Sequence, residues 1–148
     1  MILMIGLPLS GRSNYAKRLQ KEDGYTIVCP DTIRLALHGQ QFEPLSEPFV
    51  WAIAQTMVRT LLKDGHRVVI DATNTTKERR KMWVNIAKEL DVTICGYWIA
   101  TSKEECIRRN NEIKRLDNKI IERMDSQFEE PDEIKLSQKY CYVKRYED

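Results

Sequence analysis

Eight residues near the start constrain this chain most: Gly6-Leu7-Pro8-Leu9-Ser10-Gly11-Arg12-Ser13. They follow a compact apolar run, Ile2-Leu3-Met4-Ile5, that reads as a buried strand. They precede a stretch, from about Gly11 to Glu22, that reads as a helix stopped at Gly24. The pattern is G-x-x-x-x-G-[K/R]-[S/T] between strand and helix. Glycines let the backbone turn tightly and aim its N–H groups inward. The new helix adds the positive end of its dipole, a seat for an anion. A cation at position 12 neutralises outer phosphates, and a hydroxyl at position 13 can ligate Mg²⁺. Gly6, Pro8, Leu9, Ser10, Gly11, Arg12, Ser13 and Asn14 are therefore expected to hold a nucleoside triphosphate such as ATP, with Ser13 as the metal ligand. The alternative is a glycine turn that only joins two elements. Arginine stands where lysine is usual. A guanidinium grips phosphate oxygens, but it is larger, planar and forked. Nucleotide binding is less exposed to that change than catalysis is.

The rest of the chain alternates strands and helices. Tyr25–Cys29 reads as a second strand ended by Pro30, with Asp31 or Thr32 capping a short helix through Leu37. From Glu47 to Lys63, Val50, Ile53, Ala54, Met57, Val58, Leu61 and Leu62 recur at three and four, the spacing of one helix face. Arg67–Ala72 reads as a third strand. Lys77–Leu90 reads as a helix with Met82, Trp83, Ile86, Ala87 and Leu90 on one side. Val92–Ile99 is a fourth strand, Ser102 caps a helix reaching Arg115, Asn118–Glu129 is a last helix, and Lys139–Lys144 an edge strand. Alternation of this kind predicts an α/β fold: a parallel sheet of four to five strands with helices on both faces, three layers in all. The stretch from Gly39 to Pro48 is expected to be a mobile loop.

Bulk properties narrow the function classes. The 148 residues suit one domain, taken as 1–148. No apolar run approaches the ~20 residues of a membrane span, so no membrane partner is expected. MILMIGLP has no basic leader and does not read as a signal peptide. Cys29, Cys95, Cys106 and Cys141 form no C-x-x-C pair. They are expected to be reduced thiols of a cytoplasmic protein, with Cys95 packed as a small hydrophobe. His38 and His66 are expected at the surface or in loops. A net charge of +2 neither requires nor excludes a nucleic-acid partner. Two basic clusters, Lys77/Arg79/Arg80/Lys81 and Arg108/Arg109/Lys114/Arg115, read as solvated helix faces, the second also as a lid.

Further candidates sit where a parallel sheet opens its ligand crevice. Asp31 follows the second strand, and Arg34 lies one helical turn on. The pair reads either as a base with an anion-holding arginine, or as a helix cap with a surface arginine. Asp71 ends the third strand; it orients Arg34, reaches a metal through water, or caps a loop. Thr73 and Asn74 read as turn formers or as contacts to an acceptor.

Together, GLPLSGRS, PDTIR, VVIDATNTTKERR and EECIRRN followed by IIERM resemble the P-loop kinases of the polynucleotide-kinase type, among the AAA-type ATP-binding kinases. The resemblance covers nearly the whole chain. It implies an adenylate-kinase-like sheet order. It implies Asp31 as the base that deprotonates the acceptor hydroxyl, Arg34 as the holder of the acceptor's phosphate, and Asp71 as the acid supporting Arg34. It implies Arg12 in the lysine's place, Ser13 on Mg²⁺ and Arg109 as a lid arginine acting on the transferring phosphoryl group. A second lid arginine belongs four residues after Arg109, where this chain has Ile113; Arg115 stands nearby. The implied function is transfer of the γ-phosphate of ATP to a hydroxyl, first the 5′-hydroxyl end of DNA or RNA. The alternatives are a small-metabolite kinase and a nucleotide-binding protein whose transfer activity is weak or lost through Arg12. Nothing in the sequence reports the oligomeric state.

Overall fold

The computed structural model describes residues 1–39, 43–132 and 141–146, the last segment through its backbone. Its sheet has five strands: β1 (Ile2–Ile5), β2 (Thr26–Val28), β3 (Val68–Ile70), β4 (Ile94–Ile99) and β5 (Cys141–Tyr146). Their spatial order is β2-β3-β1-β4-β5, and every neighbouring pair is parallel. The helices are α1 (Arg12–Asp23), α2 (Pro30–His38), α3 (Glu47–Lys63), α4 (Lys77–Leu90), α5 (Lys103–Ile113) and α6 (Asn118–Ser126).

The period-two geometry of a strand sorts β1 onto two faces. Leu3 and Ile5 meet Val28, Val68, Ile70 and Ile94, together with Val50, Ala54 and Val58 of α3 and Trp83, Ile86 and Ala87 of α4. Ile2 and Met4 meet Val69 and Ile99, with Ala16 and Leu19 of α1. All four β1 side chains are buried, which is why the strand reads as an unbroken apolar run. A third, smaller cluster joins Leu7 to Cys106 of α5 and Ile121 of α6. It seats the α5–α6 pair directly on the glycine turn.

Several local expectations needed adjustment. Pro30 does not end a strand outside the helix; it is the first residue of α2, where its fixed φ and missing N–H cost nothing. Cys29 takes the cap position, so Asp31 lies in the first turn, at the positive end of the helix. Of the stretch expected to be a mobile loop, Pro44–Ser46 form a 3-10 turn and Glu47 and Pro48 start α3, while 40–42 lie outside the described residues. Of the expected edge strand, 141–144 fall in β5 (Cys141–Tyr146), which pairs with β4, while 139–140 lie outside the described residues.

Arg80, expected on a solvated face, is fully buried. Its guanidinium donates to the carbonyls of Asn74 at 2.8 Å and Glu129 at 2.7 Å, tying the end of the α6 segment to the loop after β3. Arg79 lies 3.6 Å from the Trp51 ring centre, so its charge is half-covered too. Cys29, Cys95 and Cys106 are free thiols, and burial pushes the Cys106 thiol up to about 11. His66 is exposed; His38 is half-buried in the last turn of α2. No described helix is long and apolar enough to cross a membrane.

Candidate active site

β1 connects toward β2 on one side, whereas β3 leads on to β4 on the other. The crevice beyond the carboxyl ends of β1 and β3 is thus the point where the winding reverses, the usual ligand position in such sheets. A cleft of about 370 Å³ opens there. Its walls come from the glycine turn and first turn of α1, from Asp31, from Asp71 and from the far end of α5.

The turn has the backbone its sequence demands. A Cβ on Gly6 would meet the Ile99 carbonyl and Ser10 Oγ at 2.8 Å each, so no other residue fits without displacement. Gly11, at φ 104°, precedes α1, and Leu9 holds φ 66°, a left-handed conformation costing a leucine about 1 kcal/mol. Left-handed residues beside a helix start curve successive N–H groups around one point. The first-turn amides of α1 lack intrahelical partners, as at any helix start. Ser10 anchors the turn from behind: its N–H donates to Leu7 O at 3.2 Å, and Thr101 Oγ1 donates to its carbonyl at 2.8 Å. Pro8 and Ser10 are buried, so of the eight cradle candidates it is Leu9, Gly11, Arg12, Ser13 and Asn14 that line the cleft.

Asp71 faces this cradle. Arg12 Nη1 donates to its Oδ1 at 3.3 Å, and Ser13 Oγ donates to its Oδ2 at 2.8 Å. Burial pushes the Arg12 guanidinium below its ordinary pKa, with the Asp71 charge opposing the shift. This corrects the expectation that Asp71 supports Arg34. The carboxylate at the end of β3 is one strand away from β1 and lies over the start of α1, whereas Arg34 sits on α2 beyond β2.

Arg34 is held instead by Glu47, which the sequence reading missed. Arg34 Nε and Nη2 donate to the two Glu47 carboxylate oxygens at 2.8 and 2.6 Å, and Nη1 donates to Asp31 Oδ1 at 2.6 Å. Arg34 is only 12% exposed, and although burial opposes it, the bonds to Glu47 and then Asp31 raise its pKa. Glu47 and Arg34 lie on different helices, and no spacing rule links positions 34 and 47.

Thr73 and Asn74 do not line the cleft. The Thr73 carbonyl accepts from Gly6 N at 3.0 Å. Asn74 is buried; its Nδ2 donates to Met4 O at 2.7 Å and its Oδ1 accepts from Trp83 Nε1 at 3.1 Å. Its polar atoms are committed to the interior, where they fix the loop behind the cradle.

Arg109 reaches the cradle from the opposite wall. Its Nε donates to Glu105 Oε1 at 2.9 Å and its Nη1 to Leu9 O at 3.1 Å. Arg115, just past α5, lies 3.7 Å from Asp31 Oδ2. Arg108 stays outside the cleft and pairs with Glu105 and Glu112.

A parallel sheet in this order, a glycine turn feeding α1, and a carboxylate at the end of β3 facing that turn define a P-loop domain of the kinase type. The family model described as an AAA domain matches residues 1–131, and the chain belongs to that family. It is 33% identical over 111 residues to the bifunctional polynucleotide phosphatase/kinase of Schizosaccharomyces pombe, covering 75% of this chain and 23% of that protein. It is 24% identical over 135 residues to the L-seryl-tRNA(Sec) kinase of Methanococcus maripaludis, covering 88% of this chain and 53% of that one. A chain in the structure of the Pnkp1/Rnl/Hen1 RNA repair complex superposes with a TM-score of 0.75 at 25% identity, over 85% of this chain and 42% of that one. The chain thus spans from about a quarter to about half the length of these relatives. Their acceptors differ, so the likeness fixes a kinase-type domain and leaves the acceptor open.

Proposed function

We propose that this domain transfers the γ-phosphoryl group of ATP to a hydroxyl, and that the acceptor is the 5′-hydroxyl end of DNA or RNA. One observation carries the reading: Asp31 opens into the same cleft as the phosphate cradle, with its carboxylate held by Arg34. In the proposed reaction the triphosphate tail lies along Leu9–Ser13. The Asp31 carboxylate takes the proton of the acceptor hydroxyl, whose oxygen attacks the γ-phosphorus as the bond to ADP breaks. Arg12 and Arg109 donate to the phosphoryl oxygens, and Arg34 donates its remaining N–H groups to an anionic acceptor. The oxygen donors Ser13 and Asp71, 2.8 Å apart beside the cradle, suit Mg²⁺. When bound, Mg²⁺ supplies charge neutralisation at the phosphate oxygens. The polynucleotide and seryl-tRNA kinases among the relatives support phosphoryl transfer to a nucleic-acid-linked hydroxyl.

The test is transfer of label from γ-labelled ATP to a 5′-hydroxyl oligonucleotide, with Asp31→Asn as control. The wild type is expected to label the oligonucleotide at least a hundredfold faster than the control, in line with the ~10²–10⁴-fold worth of a general base. Equal rates sink the reading. The slope of acceptor binding against salt separates acceptor classes: a steep one means several phosphate contacts, a flat one a small metabolite.

The Arg12–Asp71 pair favours a second reading, a nucleotide-binding domain with weak transfer. Asp71 draws the guanidinium toward the end of β3. A lysine, shorter by its fork and more flexible, would reach the cradle more freely. This reading expects Arg12→Lys to raise the rate by about tenfold or more; a fall in rate overturns it.

A further inference from the structure

The end of α5 presents an apolar side chain to a cleft lined mostly by charged and polar ones, Arg12, Asp31, Asp71, Arg109 and Glu112 among them. Ile113 lines the cleft and is 59% exposed, so it packs against little that would explain its place. Two residues later the chain returns a cation to the same space. α5 stops at Ile113, and Lys114 closes it in the left-handed conformation, φ 50°, with its N–H donating to Asn110 O. That reversal carries Arg115 back over the cleft.

The turn is built, not loose. Asn110 is 2% exposed and spends its whole amide on the reversal. Its Oδ1 accepts from Arg115 N at 3.1 Å and Leu116 N at 3.0 Å, and its Nδ2 donates to Leu116 O at 2.7 Å and to Asn118 Oδ1 at 2.8 Å. A buried side chain satisfying three backbone groups fixes a backbone more tightly than an exposed loop would be. Leu7, Cys106 and Ile121 seat the same α5–α6 pair on the glycine turn, so the reversal and the cradle are packed into one unit. Within that unit Arg115 lines the cleft, lies 3.7 Å from Asp31, and its charge is felt at Arg12.

We propose that Arg115 is a catalytic residue of this site, a phosphoryl-contacting arginine supplied by the turn after α5 instead of by the helix face at position 113. Its guanidinium lies against Asp31, at 3.7 Å. When the nucleotide binds, the oxygens of its terminal phosphoryl group draw the guanidinium off Asp31, which leaves that carboxylate free for the acceptor hydroxyl. It forms no covalent bond; it donates N–H groups to charge that grows in the transition state. Asn110 is the positioning residue that aims it. The proposal rests on the phosphoryl-transfer reading above.

The experiment is calorimetric titration of wild type, Arg115→Ala and Arg115→Lys with ADP alone and with ADP plus fluoroaluminate, a mimic of the phosphoryl group in transfer, in Mg²⁺ buffer. Arg115 is 42% exposed, so its truncation leaves the core intact. Arg115→Ala is expected to lose at least tenfold in affinity for the fluoroaluminate complex while ADP affinity stays within threefold, with Arg115→Lys between. An Arg115→Ala variant that binds both probes as tightly as wild type overturns the proposal. In the labelling assay the same variant is expected to lower kcat by ~10³ or more, the scale of a phosphoryl-contacting arginine. Wild-type labelling no faster than Asp31→Asn overturns the transfer reading instead. Those two failures are told apart because the titration needs no acceptor.

Discussion

Asn74 shows how much one side chain can hold. Its amide bridges the Met4 carbonyl at the end of β1 and the Trp83 indole of α4, and its own backbone sits at φ 47°. Asparagine tolerates that conformation because its short polar side chain bonds locally. Alanine there leaves a buried carbonyl and a buried N–H unpaired, at ~1–3 kcal/mol each, with ~1 kcal/mol more for the backbone. Asn74→Ala is expected to lose about 3 kcal/mol or more in urea unfolding. A loss under about 1 kcal/mol would mean water replaces the amide. Arg34 teaches a similar lesson at the cleft: three carboxylate bonds, two of them to Glu47, decide where its fork points.

At the scale of elements, α5 and α6 deserve most of the electrostatics. Glu105, on the first turn of α5, accepts from both Arg108 and Arg109. Those bonds, Arg108's first, lower its carboxyl from 4.5 to about 2. Because the folded value lies below the unfolded one, the stabilisation is fully present above about pH 4.5 and is lost as pH falls toward 2. Comparing Glu105→Gln with wild type across pH 2–7 is expected to show a constant stability difference down to about pH 4.5 that vanishes near pH 2. Glu105 is half-buried and its partner Arg108 exposed, so high salt shrinks the difference as well. A difference that instead grows on acidification contradicts the pairing. Arg109, set by Glu105, is also what ties α5 to the Leu9 carbonyl, so the same pH window governs how firmly the helix sits on the cradle.

At the scale of the molecule, two apolar layers clamp one sheet, and the cleft sits where the winding reverses. Ligand at that point touches the turn after β1, the end of β3, α2 and α5 together, so binding couples elements that otherwise meet only through the sheet. ATP at a hundred times its Kd is expected to add about 2.7 kcal/mol of stability, raising Tm by ~5–10 °C for a domain this size. Scanning fluorimetry over an ATP series checks it. A Tm unmoved at millimolar ATP would argue that the cradle holds no triphosphate.

The local part of this architecture was legible in the order of residues. β1, α3 and α4 could be read from apolar period and from Gly and Pro, because each depends on neighbours within a turn or two. The glycine turn was legible for the same reason: its backbone angles follow from residue types at fixed short spacing. Burial of Arg80 was half-legible, since it lies three residues before Trp83 on the inward face of α4, but charge alone pointed outward. The partners across the cleft were not legible. That Asp71 serves Arg12 and Ser13, that Glu47 holds Arg34, and that Arg115 reaches Asp31 each depend on which strands lie side by side. The sequence by itself determined most of the elements and the glycine turn, because those obey short-range sterics and periodicity. Only the tertiary structure decided how the charges pair, because a carboxylate chooses the cation that folding brings within 4 Å, and sequence distance carries no record of that.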